Sequence, residues 1–299
     1  MKGTRVSHFK IILAALFLTA AVFIVACIGM SGQIKNKDEL LNYKNASASR
    51  VLSEEGELIG KFFYENRTNI SFDQIPEHLI HALISTEDAR FYEHRGNDPR
   101  SLFRVFFKTI LLSDRSSGGG STITQQLAKN MFGRKRTGFM HVALNKISEV
   151  IMARRLERVF SKDEILTLYL NTVAFGENVY GIEAASARFF NKSTGALRIE
   201  ESAVLVGMLK ANTYYNPRIH PDNARTRRNV VLKQMEKYKY IKAKAADSLS
   251  ILPMKIDYTK SGSAGIADYF LVQVRSETEK ILQELGSSTG KKWDLEKVV

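Results

Sequence analysis

The longest uninterrupted apolar stretch runs from Ile11 to Met30, about 20 residues without a charge. That length suits a helix crossing a bilayer. Lys2, Arg5 and Lys10 precede it, so the positive-inside bias keeps residues 1–10 in the cytoplasm and exports the remainder. A cleaved leader fits the same residues, though the run is long for one. Ile24-Val25-Ala26-Cys27 also resembles a bacterial lipoprotein processing site, so three readings stay open. All three place the rest of the chain outside the cytoplasm, at a membrane.

Residues 31–71 begin as a polar stalk. They continue into a short hairpin over 51–70, with Glu54-Glu55-Gly56 at its turn. From 72 to 245 the period is helical, which predicts a mostly α domain. A helix is expected from Pro76 through His94. A capping-box pattern at Thr122 and Gln125 opens a second, after Ser116-Ser117-Gly118-Gly119-Gly120. Ser161 and Glu164 open another, carrying Ile165, Leu166, Leu168, Tyr169 and Leu170. Residues 246–299 read as linker-like, with one more helix over Ala267 to Leu285 and an end that looks cut short. The run Leu102 to Leu112 is apolar around only Arg104 and Lys108, which suits core packing or an interfacial membrane helix equally.

Composition adds a basic balance. Lys and Arg number 44 against 31 Asp and Glu in 299 residues, a net charge of +13. Such a surface suits an anionic partner, phosphate or acidic lipid. No nucleic-acid signature accompanies the charge. The single cysteine, Cys27, excludes an intramolecular disulfide. His78, His81, His94, His141 and His220 show no metal-ligand spacing, and no Walker or dinucleotide loop is present.

Three clusters could carry chemistry. In the first, Leu79, Leu83, Glu87 and Phe91 recur every four residues and so would stack on one helix face. A carboxylate in an apolar stripe is partly desolvated, which makes it a better base near neutral pH. A surface pair of Glu87 with Arg90 at i+3 fits the spacing equally well. The second is GGGSTITQQLAKN, residues 118–130. Its glycines allow close backbone approach, and they feed a helix N-terminus whose amides favour anions. Ser121, Thr122, Thr124, Gln125 and Gln126 suit sugar hydroxyls or phosphate oxygens, with Lys129 and Asn130 beyond them. An ordinary surface loop before a capped helix remains the alternative. The third is Lys146 and Glu149, which share a face at i and i+3; a solvated charged face explains that spacing as readily.

Taken together and in order, these segments resemble the family 51 peptidoglycan glycosyltransferases. Those are the polymerase domains of class A penicillin-binding proteins and of monofunctional transglycosylases. EDARFYEHRGNDPRS supplies Glu87, Asp88, Phe91, His94 and Gly96 of a first motif, and GGSTITQQLAKN a nearly complete second. NKISE supplies Lys146 and Glu149 of a third, and SKDEILTLYLN matches a fourth. ESAVLVGMLKANTYYNP resembles a fifth. The third motif departs from the pattern because Asn145 stands where an arginine is usual, and the fifth because Asn212-Thr213 replace a proline.

The resemblance implies a lysozyme-like glycosyltransferase domain after a single transmembrane helix at 11–30. It implies lipid II and the growing glycan chain as substrates. Glu87 is then the base and Glu149 the second catalytic carboxylate. Asp88, His94, Ser121, Thr122, Gln125, Gln126, Lys129, Asn130, Arg136 and Lys146 are the binding residues. Lys129, Arg136 and Lys146 are expected to clamp the pyrophosphate, with Glu149 orienting them or a bound metal. No cofactor is required; Mg or Mn at the pyrophosphate is compatible. The implied location is the inner membrane, single-pass, with the catalytic domain on the periplasmic side, among transpeptidases or other cell-wall machinery. A lytic glycosidase on the same fold and a non-catalytic membrane scaffold are the competing readings. The segment after residue 250 is similar to the linker preceding a transpeptidase domain in two-domain relatives, but that domain's Ser-x-x-Lys signature does not follow.

Overall fold

The computed structural model describes residues 39–40, 49–56, 58–62, 66–101, 120–134, 141–259 and 268–289. The expected anchor at 11–30, the apolar run 102–112 and Arg136 lie outside them. Among the described residues no helix is long and apolar enough to cross a membrane. The chain divides into two compact units, one of residues 1–43 with 94–161 and the other of 44–93 with 162–299.

The larger unit opens with the expected hairpin. Strand β1 (Ser49–Leu52) pairs antiparallel with β2 (Leu58–Phe62). Gly56 closes the turn at φ +86°, a left-handed conformation that costs glycine little, and its amide bonds the Ser53 carbonyl at 3.0 Å. Strand β3 (Asn66–Arg67) then joins two later strands, β4 (Ala174–Gly176) and β5 (Val179–Tyr180), in the order β3-β5-β4. This small sheet was invisible to periodicity, because two- and three-residue strands are too short to show alternation.

Helix α1 (Glu77–Glu87) buries Leu79, Ile80, Leu83 and Ile84 as one stripe. The pattern predicted a helix through His94, but it stops seven residues earlier. Asp88 leaves the helical region at φ −157°, and its amide makes the last helical bond, to the Ile84 carbonyl at 3.0 Å. Turns follow, with the Phe91 amide bonding the Asp88 carbonyl at 2.9 Å. Burial of the Phe91 ring outweighs continuation of the helix: it is fully buried, with the Lys162 ammonium 4.2 Å from its centroid.

Helix α2 (Ile123–Phe132) and helix α3 (His141–Val159) belong to the smaller unit and pack on each other. Their shared core holds Ile123, Leu127, Ala128, Met152, Ala153 and Leu156. The Thr124 hydroxyl on α2 donates to Glu157 on α3 at 2.7 Å, a polar pin at the edge of that core.

Back in the larger unit, α4 (Lys162–Thr172) begins where the second capping pattern placed it. Asn171 near its end is buried and bridges the distant coil after β3: its Oδ1 accepts from the Ile70 amide at 3.1 Å and its Nδ2 donates to the Ile70 carbonyl at 2.8 Å. Helices α5 (Ile182–Phe190), α6 (Ile199–Met208), α7 (Pro221–Lys237) and α8 (Ala243–Ile251) complete the body. Helix α6 is apolar nearly all round and is accordingly buried from Glu201 to Met208, with α1 and α7 packed against it. Glu201 tolerates this burial because Lys192 and the Arg198 amide satisfy it, at 2.8 Å each. The last helix, α9 (Asp268–Thr289), takes up the expected helix from Asp268 through Leu285 and runs on to Thr289.

Candidate active site

The smaller unit gathers most of the predicted binding residues. Thr122 caps α2, accepting from the Gln125 amide at 3.1 Å, so half of the expected capping box is present. The other half is not. The Gln125 side chain, which a full capping box would return to the Thr122 amide, instead bonds Asn97 at 2.7 Å and Lys146 at 2.7 Å. Tertiary partners have claimed it.

Lys146 is the centre of this cluster. Its Nζ donates to Ser121 Oγ at 2.7 Å and to Gln125 Oε1 at 2.7 Å, and it stands 3.3 Å from Glu149 Oε2. The expected i, i+3 relation on α3 therefore holds, and it brings the Gly-rich loop's Ser121 to the same ammonium. Glu149 is 6% exposed, too buried for a carboxylate without partners. Its second oxygen takes Arg134, with Nε at 2.9 Å and a terminal guanidinium nitrogen at 2.8 Å. The predicted clamp named Arg136, which lies outside the described residues. Arg134 was missed, although it opens the basic run Arg134-Lys135-Arg136 directly after Gly133, the C-cap of α2.

Behind this cluster sits the end of the first motif. Gly96 has φ +86°, and a Cβ built there would lie 2.6 Å from the Ala153 carbonyl oxygen of α3. Only glycine allows the loop to lie this close to the helix. The Thr122 hydroxyl donates to the Gly96 carbonyl at 2.6 Å, and Asn97 donates to the Val150 carbonyl at 3.0 Å. Motif two is thus stitched to motif one through the Gly96 carbonyl, and motif one to α3 through the Val150 carbonyl. His94 is half-buried in the same unit. Gln126, Lys129 and Asn130 are half-buried on α2, with Lys129 one helical turn beyond Gln125. Asn145, standing where the family pattern has arginine, is half-buried on α3.

Glu87 and Asp88 belong to the larger unit. Glu87 is the last residue of α1 and is half-buried, while Asp88 is buried. Glu87 therefore sits at a helix end rather than within a continuous stripe. Arg90 is in the turn beyond, off the helix that the i+3 spacing assumed. Tyr169, fully buried on α4, reports the charge of Glu87. Its phenol is pushed well above the ordinary range, chiefly by burial and secondly by the negative Glu87 carboxylate.

Among the described residues no group of three His, Cys, Asp or Glu side chains gathers for a metal. At Glu149 the donor set is already engaged. Both of its oxygens are held by cations, so it is not a ready hard-oxygen ligand.

Comparison with known proteins identifies the family of this chain. The transglycosylase family model matches residues 55–236. Penicillin-binding protein 1F of Bacillus subtilis is 39% identical over 233 residues, 78% of this chain and 32% of that protein. Penicillin-binding protein 1A of Escherichia coli is 40% identical over 229 residues, 76% of this chain and 26% of that protein. A crystal structure of penicillin-binding protein 1A from Haemophilus influenzae aligns over 84% of this chain and 26% of that one, at 24% identity and a TM-score of 0.45. The chain spans about a third of the length of the curated relatives it matches. With the family model covering well over half of its residues, the chain belongs to the transglycosylase family.

Proposed function

We propose that this protein is a peptidoglycan glycosyltransferase that polymerises lipid II into β-1,4 glycan with release of polyprenyl pyrophosphate. The observation that carries the reading is Lys146, an ammonium held by Ser121, Gln125 and Glu149 beside the N-terminus of α2. Hydrolysis of a finished glycan needs two carboxylates and water. Departure of a pyrophosphate needs fixed positive charge, and that is what this cluster presents.

In this reading Glu87 accepts the proton of the acceptor sugar's 4-hydroxyl. The hydroxyl oxygen forms a bond to the anomeric carbon of the donor as the carbon–oxygen bond to pyrophosphate breaks. An α-linked donor yields a β product, so one displacement with inversion suffices. The electron pair leaves on the pyrophosphate, and Lys146, Lys129, Arg134 and Arg136 stabilise it. Glu149 orients the cations. Ser121, Thr122, Gln125, Gln126, Asn130, Asp88 and His94 bind sugar and phosphate oxygens. A resident divalent cation does not fit Glu149, whose oxygens are already paired, and no step runs through one.

A lysozyme-like fold, an anchor at 11–30 in the inner membrane and a periplasmic site belong to the same proposal. So does work beside transpeptidases. Support comes from the apolar run and its basic flank, from a substrate whose tail stays in lipid, and from relatives named as penicillin-binding proteins. The test is polymer formation from lipid II, resolved on a gel. Wild type should give long glycan and Glu87→Gln should lose at least ~100-fold in rate. Soluble fragments released from finished glycan, with no polymer from lipid II, would overturn the reading.

A further inference from the structure

We propose that Asn97 is a positioning residue for the reaction, acting through Gln125 to fix the acceptor that Lys146 sees. The inference rests on the lipid II reading above. It starts from an asymmetry in donors and acceptors.

The Val150 backbone carbonyl can only accept. It therefore draws the Nδ2 of Asn97, at 3.0 Å, and so fixes which way the Asn97 amide faces. The Oδ1 of Asn97 is left pointing at Gln125 and accepts from its Nε2 at 2.7 Å. That in turn leaves the Oε1 of Gln125 facing Lys146, whose Nζ donates to it at 2.7 Å. Each amide has one allowed orientation, and the order runs from the backbone of α3 back to a side chain of α3. Flipping Gln125 would aim an NH2 at an ammonium and another acceptor at Asn97 Oδ1, two repulsive contacts. The relay is shielded, since Gln125 is fully buried and Asn97 half-buried.

Gly96 explains why Asn97 can hold this place. With the loop seated on Ala153 more closely than any Cβ allows, the next residue falls within reach of the Val150 carbonyl one turn earlier on α3. Asn97 also offers what this site needs at its position, one donor and one acceptor on a short side chain. Ala or Leu would leave the Gln125 Nε2 without its Asn97 acceptor, and the amide held only by Lys146 and freer to rotate away from it.

The consequence falls on the transition state. Negative charge grows on the pyrophosphate as its bond to carbon breaks, so a wandering Lys146 weakens transition-state binding more than substrate binding.

The experiment is a double-mutant cycle on the full chain with lipid II: wild type, Asn97→Ala, Gln125→Ala and the pair. Asn97→Ala should lower kcat about tenfold with KM changed less than about threefold, and should add less than about twofold once Gln125 is already alanine. Full additivity, or a KM rise with kcat unchanged, would overturn the proposal. A second readout needs no activity. In 15N spectra the Gln125 side-chain amide, assigned by its loss in Gln125→Ala, should be protected from solvent exchange in wild type and exposed in Asn97→Ala. Equal exchange in both overturns the relay whatever the assay shows. A protected amide together with a wild type that makes no polymer leaves the relay standing and removes the glycosyltransferase reading instead.

Discussion

Arg134 and Glu149 meet through two contacts on one carboxylate oxygen, 2.9 Å from Nε and 2.8 Å from a terminal guanidinium nitrogen. Lys146 holds the other oxygen. A single buried carboxylate therefore sets the positions of two cations that come from different parts of the chain. Arg134→Ala should lower polymerisation about tenfold, equivalent to ~1.4 kcal/mol and in the range of one charge-assisted hydrogen bond. Arg134→Lys should recover only part of it, because an ammonium lacks the planar fork. Rates with lipid II check both, and equal activity of Ala and wild type would remove Arg134 from the clamp.

Gly96 makes a prediction about stability. Alanine there meets the Ala153 carbonyl at 2.6 Å and must also hold φ +86°. Backbone against backbone cannot relax cheaply, so Gly96→Ala should cost ~2–4 kcal/mol. Urea unfolding of the two proteins measures it. A difference under ~0.5 kcal/mol would show that the loop can lift off α3.

Asn171 satisfies both backbone groups of Ile70 inside the larger unit. Asn171→Ala leaves a buried N–H and a buried C=O without that partner, and should cost ~3 kcal/mol. Asn171→Asp keeps one acceptor but buries a charge and turns its second oxygen on the Ile70 carbonyl, so near neutral pH it should cost at least as much as alanine. Thermal unfolding of the three proteins in one buffer orders them.

Glu177 supplies a pH signature. Burial raises its pKa, but hydrogen bonds from Tyr258, Asn216 and Arg218 outweigh that and leave it below the ordinary carboxylate range. Tyr258 Oη donates at 2.6 Å, tying the extended segment after α8 to the β4–β5 turn. A depressed folded pKa adds stability that is complete above the unfolded value, 4.5, and is lost as pH falls through the folded one. The melting temperature of wild type should therefore fall more steeply below about pH 4.5 than that of Glu177→Gln. Parallel curves would mean that the contact does not stabilise the fold.

Much of the site was legible because its spacing is local. Lys146 and Glu149 share a face by helical geometry alone, Thr122 announces its cap, and Gly120-Ser121 stands at the mouth of α2 by chain order. The motif order itself led to the family that the comparison then showed. The hairpin turn at Gly56 and the last helix were legible for the same local reason.

Other features were decided only by folding. Periodicity extended α1 to His94, because it cannot weigh a helical turn against burying Phe91. It assigned the Gln125 side chain to a capping box, because it cannot see Asn97 or Lys146. It passed over Arg134, since reach to Glu149 depends on how the chain leaves α2, and it passed over Asn97, whose role needs Gly96 seated on Ala153. Composition, periodicity and motif order by themselves determined the helical class and the chemical types at the site. Which hydrogen bond each type makes was decided by tertiary structure, because long-range partners of buried polar groups compete with local ones, and a buried group takes the partner that leaves nothing unsatisfied.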